Sequence, residues 1–151
     1  MRELILLRHG HAVPTAIDGQ DAERPLSDSG AHQARQTAQR LRADELLPEL
    51  ILTSPARRAA DTARLLQLGL ALPAPAVQTE PLLYLAETAV LRSVIGRCPA
   101  DVRRLLVVGH NPGLSELLME LMPRGPALNL ATGEYFCMTL SGIGWNRLHV
   151  A

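Results

Sequence analysis

Three short stretches of this 151-residue chain carry side chains that can do chemistry: Arg8-His9-Gly10, Ser54-Pro55-Ala56-Arg57-Arg58 and Gly109-His110-Asn111-Pro112. A neutral histidine is a nucleophile and a protonated one is a charged donor. Arginine brings permanent charge in a planar fork that matches phosphate oxygens. Histidines and arginines gathered at one place would therefore suit a phosphoryl group. Plainer readings exist for each residue. A single His at the end of an apolar run is commonly an ordinary packed side chain. Arg57 and Arg58 could form a solvated helix start, pairing with Asp61. A metal site at His9, His11 and His110 is disfavoured, because no acidic or Cys ligand accompanies them at a recognisable spacing.

The elements around these stretches are legible. Leu4 to Leu7, Leu50 to Thr53 and Leu105 to Val108 are short continuous apolar runs, expected to be buried strands. One chemical stretch follows each. Ser27 is placed as the N-cap of a helix with Ala31, Ala34, Ala38 and Leu41 on one face. Ser54-Pro55 and Asn111-Pro112 both read as a cap followed by proline at the first helical position. Further expectations are an edge strand over Ala76 to Thr79, a helix over Thr88 to Arg97, and a strand near Tyr135 to Leu140. A turn at Ser141-Gly142-Ile143-Gly144 and a last strand over Trp145 to Val150 would complete a hairpin. Strands alternating with helices predict an α/β domain with a largely parallel sheet. Ligands of such sheets bind beyond the carboxyl ends of the strands, where all three stretches fall.

Composition narrows the field. All fifteen basic residues are Arg, which excludes Schiff-base lysine chemistry, a pyridoxal-phosphate anchor and the lysine of a P-loop. The abundance of Ala, Leu, Gly, Pro and Arg attributes most of that count to codon usage. Fifteen acids balance fifteen arginines, so a nucleic-acid partner is not expected. No apolar run approaches the roughly 20 residues of a membrane span, and the first residues are too short a run for a signal peptide. Cys98 and Cys137 lack metal spacing and are expected to be buried free thiols in a cytoplasmic setting. Residues 1–151 are expected to form one domain.

Leu7-Arg8-His9-Gly10 resembles the signature of the histidine phosphatase superfamily, the phosphoglycerate-mutase-like fold. Arg24-Pro25-Leu26-Ser27 through Gly30 and Gln33-Ala34, then Ser54 to Ala59 with Asp61-Thr62-Ala63, then Val108 to Pro112, are similar to its further motifs. Four ordered motifs cover most of the chain, from Leu4 to about Glu116. The short length resembles the SixA-type phosphohistidine phosphatases, minimal members without inserted helices over the site. Leu83-Tyr84-Leu85-Ala86 and Thr132-Gly133 are also similar to that subgroup, less specifically.

The resemblance implies a three-layer sandwich with a mostly parallel central sheet flanked by helices and an antiparallel C-terminal strand. It implies that His9 is the nucleophile, transiently phosphorylated. Arg8, Arg58 and His110 would hold the phosphoryl oxygens, and no metal or cofactor would be needed. Arg58 is preferred to Arg57 because the motif places its arginine four residues after the Ser. The expected substrate is a phosphohistidine-bearing protein, either a phosphotransfer domain or a carrier. The alternatives are a small phosphoester and a silent phosphate-binding module; a mutase is disfavoured. No acid for the leaving group matches a motif, although Glu80 and Glu87 flank the relevant stretch. His11 is either a tuner of substrate binding or an ordinary loop histidine.

Overall fold

The computed structural model describes residues 1–16, 18–142 and 144–150. Six strands form one sheet: β1 (Arg2–Arg8), β2 (Leu50–Thr53), β3 (Val77–Thr79), β4 (Arg104–Gly109), β5 (Tyr135–Ser141) and β6 (His149–Val150). Their order is β3-β2-β4-β1-β5-β6. The β1–β4, β2–β4 and β2–β3 pairs are parallel, and β5 runs antiparallel to β1 and β6. The expected sandwich with a mostly parallel sheet and an antiparallel C-terminal edge is what the chain builds.

The continuous apolar runs exist because both faces of the sheet are covered. Alternate residues of β1 and β4 point to opposite sides. Leu4, Leu6, Leu105 and Val107 join a core with α3 (Thr88–Gly96) and α4 (Gly113–Leu121). Ile5, Leu7, Leu106 and Val108 join the other core, against α1 (Asp28–Ala43) and α2 (Arg57–Gly69). Alanines 34, 38, 59 and 63 line the inner faces of α1 and α2, so these helices pack closely with few large side chains.

Ser27 caps α1 as expected, its side chain accepting from the Gly30 N–H. Two other helix starts differ from expectation. α2 begins at Arg57, with Ala56 in the cap position and no side-chain cap. The Ser54 hydroxyl instead accepts from Ala56 N–H and contacts His110 Nε2 at 2.7 Å, so it is spent on the site. α4 begins at Gly113, with Pro112 one residue before it in a cis peptide. Asn111 still serves the helix end, since its Oδ1 accepts from the Ser115 backbone N–H and hydroxyl.

Smaller boundaries also move. The edge strand starts at Val77, after a 3-10 turn over Ala74–Ala76, and α3 stops at Gly96. The last strand is only His149–Val150. Trp145 leaves the sheet because its ring is buried in the core and its Nε1–H reaches the Val102 carbonyl. Ile143 of the expected turn lies outside the described residues, as does Ala151 at the end of the expected domain. Cys98 is buried, whereas Cys137 is half-buried; both are free, and burial pushes each thiol up to about 11. No described helix is long and apolar enough to cross a membrane.

Candidate active site

The carboxyl ends of β1, β2 and β4 open into one cleft of about 660 Å³, lined among others by Arg8, His9, Arg58, His110, Asp21 and Arg24. The three stretches thus converge beyond the carboxyl ends of the strands, where ligands of such sheets bind. Arg8 ends β1, and its Nη1 donates to the Leu130 carbonyl at 3.1 Å, while its buried Nε has no partner among the described residues. Arg57 sits outside the cleft, half-exposed and 3.8 Å from Asp61. Of the two neighbouring arginines, only Arg58 enters the site.

Hydrogen bonding fixes both ring tautomers. His9 Nδ1 lies 2.7 Å from the Gly10 carbonyl, which can only accept, so Nδ1 carries the proton. Its Nε2 then presents a lone pair to the cleft and accepts from Arg58 Nε at 3.3 Å. His110 Nδ1 faces Arg58 Nη2 at 3.4 Å, and its Nε2–H donates to Ser54. The two imidazoles stand 5.1 Å apart, centroid to centroid. Burial above all, aided by surrounding guanidinium charge, pushes His9 down to about 4 and His110 to about 3. Both rings are neutral at pH 7.

Asp21 was not a candidate from sequence, yet it organises the arginines. Its Oδ2 accepts from Arg58 Nη2 at 3.1 Å and from the Tyr84 hydroxyl; its Oδ1 accepts from Arg24 Nε at 2.9 Å. Its backbone carbonyl accepts from Arg58 Nη1 at 2.9 Å. Tyr84 first, then Arg24 and Arg58, hold this carboxyl down at about 2. Thr62 locks the other end of the arrangement. Its hydroxyl accepts from Gly10 N–H at 3.0 Å and donates to the Arg58 carbonyl at 2.7 Å, tying the β1 loop to α2.

Glu80 and Glu87 do not line the cleft. The Glu80 side chain accepts from Leu82 N–H in a 3-10 turn, and Glu87 precedes α3. His11 does line it, at the exposed mouth. Its Nδ1 contacts the Ser27 hydroxyl at 2.7 Å and its backbone N–H donates to Gln33 Oε1 at 2.8 Å. A Cβ on Gly30 would fall 1.9 Å from the His11 carbonyl oxygen, so only glycine lets α1 press against this loop. Among the described residues no group of three or more His, Cys, Asp or Glu could hold a metal ion.

The buried neutral histidines make stability depend on pH with a definite sign. Below pH 6.5 the unfolded chain protonates both rings, while the folded rings resist until about 4 and 3. Stability that is full above pH 6.5 is therefore lost as pH falls toward 4. The slope is up to about 1.4 kcal/mol per pH unit for each ring. Urea melts between pH 7 and 4.5 should show this fall, and His110→Asn should halve its slope. A flat profile would contradict neutral burial.

The cleft of this α/β sheet thus gathers two neutral histidines and three arginines around one carboxylate. The sequence matches the model of the histidine phosphatase superfamily (branch 1) over residues 4–83, and the chain belongs to that superfamily. It is 31% identical over 154 residues to an uncharacterised chloroplastic protein of Arabidopsis thaliana, covering 97% of this chain and 70% of that protein. A protein histidine phosphatase SixA solved with tungstate is similar at 26% identity and a TM-score of 0.81, covering 91% of this chain and 88% of that one. A Nakamurella multipartitia protein described as a phosphohistidine phosphatase SixA is similar at 25% and 0.84, covering 96% and 87%.

Proposed function

We propose that the chain is a metal-independent phosphatase that dephosphorylates phosphohistidine on a protein, through a phosphohistidine of its own at His9. The carrying observation is the state of the cleft's one lining carboxylate among the described residues. Asp21 accepts from three side chains and is held at about 2, so it has no proton to give at neutral pH. No carboxylic acid is therefore at hand for an alkoxide, the poorest leaving group among the candidate substrates. The imidazole of a P–N bond departs far more easily. Likeness to SixA phosphatases supports the same substrate class.

In the proposed first step His9 Nε2 attacks phosphorus in line, and the substrate P–N bond breaks as the new one forms. Arg8, Arg58 and His110 would surround the equatorial oxygens. The unpartnered Nε–H of Arg8 supplies one donor directly. The Arg58 Nε–H that rests on the His9 lone pair swings to an oxygen as phosphorus arrives. Neutral His110 lines the same pocket and, accepting from Arg58 Nη2 at Nδ1 while donating Nε2–H to Ser54, holds that guanidinium in place. Water then attacks the phosphorus on His9 and releases phosphate.

The test is phosphate release from a phosphohistidine carrier protein and from several phosphoesters, all in EDTA. Faster release from the phosphohistidine carrier is expected. Preference for an ester would shift the assignment to a small-molecule phosphatase, and no turnover of anything would favour a silent phosphate-binding module. Activity lost in EDTA and restored by a divalent cation would sink metal independence.

A further inference from the structure

We propose that His11 is the residue that protonates the leaving group. The proposal rests on the phosphatase reading above and identifies a part that reading left unassigned.

The cleft holds few groups able to move a proton. Arg8, Arg24 and Arg58 stay charged. Asp21 is saturated by Arg58, Arg24 and Tyr84. His9 commits Nδ1–H to the Gly10 carbonyl and keeps Nε2 for phosphorus. His110 is sealed between Ser54 and Arg58 and is only 4% exposed. Asn111 and Thr132 do not exchange protons at neutral pH. His11 is what remains: it lines the same cleft and is exposed at its mouth, where a leaving group must depart toward solvent.

Its mounting suits the task. The Ser27 hydroxyl holds Nδ1 at 2.7 Å while accepting from Gly30 N–H, so one ring nitrogen is pinned to the start of α1. The backbone is fixed by Gln33 and by the close approach of Gly30. Nε2 has no protein partner among the described residues and is the atom that can exchange a proton with substrate. Gln33 also donates from Nε2 to Thr132 Oγ1 at 3.2 Å, bracing His11 against the far wall.

The cycle balances. In the first step the electron pair of the breaking P–N bond goes to the substrate nitrogen, which takes the proton from His11 Nε2. In the second, water adds to phosphorus, the His9–P bond returns its pair to His9 Nε2, and the water proton goes to His11 Nε2.

The experiment compares His11→Gln with the parent protein on 4-nitrophenyl phosphate, phenyl phosphate and a phosphohistidine peptide, reading kcat/KM. The nitrophenolate leaves without a proton; the other two leaving groups need one. His11→Gln should lose about a hundredfold on phenyl phosphate and phosphohistidine, but less than about threefold on the nitrophenyl ester. Equal losses on all substrates, or none, would overturn the proton-donor role, because a purely structural histidine cannot sense the leaving group. A parent protein that cleaves the esters but not the phosphohistidine peptide refutes the proposed substrate and leaves His11 decided by the ester pair. A parent inactive on every substrate overturns both.

Discussion

Replacing His9 by Ala should abolish turnover, with a loss of at least about a thousandfold, and should remove all acid-labile phosphoenzyme. The size follows from the geometry. Nδ1 is fixed to the Gly10 carbonyl, so Nε2 is the one lone pair of this ring aimed into the cleft, and burial keeps it unprotonated down to about pH 4. His110 cannot substitute, because its ring nitrogens are engaged by Ser54 and Arg58. Rapid quenching with labelled substrate reads the covalent step directly. Labelled protein that persists in His9→Ala would place the nucleophile elsewhere. The same variant should lose part of the acid-side fall in stability, since one buried neutral ring is gone.

Arg58→Met should cost about a thousandfold in kcat/KM, while Arg57→Ala should change it less than about twofold. Arg58 is 2% exposed and touches His9, His110 and Asp21 together. Methionine fills similar space but removes the charge and every donor. Arg58→Lys should rescue little, because a point charge cannot satisfy the Asp21 carbonyl, its carboxylate and the cleft at once. The fold should survive with a cost of roughly 1–3 kcal/mol, since Asp21 keeps Arg24 and Tyr84 as donors. The freed Asp21 carboxyl should titrate higher, which NMR can follow. Comparable losses in the Arg57 and Arg58 variants would mean that the pairing of arginine to site is wrong.

Much of this was legible because it is local. A run such as Leu4 to Leu7 can only be a strand covered on both faces, and the residue that follows it must emerge at the sheet's edge. His9, Arg58 and His110 could be named for that reason together with the motif resemblance. Asp21 escaped because its partners lie 37 and 63 residues away, and an Asp in a polar loop has no pattern of its own. Ser54 and Asn111 show a different limit. Each is a capping residue type, but His110 claims the Ser54 hydroxyl and Asn111 serves α4 from one residue further out, so the helix starts move by one or two residues. The segment from Pro123 to Glu134 had no periodicity to read, yet its Leu130 carbonyl holds both Arg8 and Asn111.

The Asp21 carboxylate has one more consequence. The chain as a whole carries no net charge, so it exerts little long-range pull on an anion. Within the cleft, setting His11 aside, three guanidiniums face one ionised carboxylate and two neutral imidazoles. The remaining two positive charges match a phosphoryl dianion in number. A molecule of this kind does not steer its partner from afar; it becomes attractive only within about a Debye length of the opening.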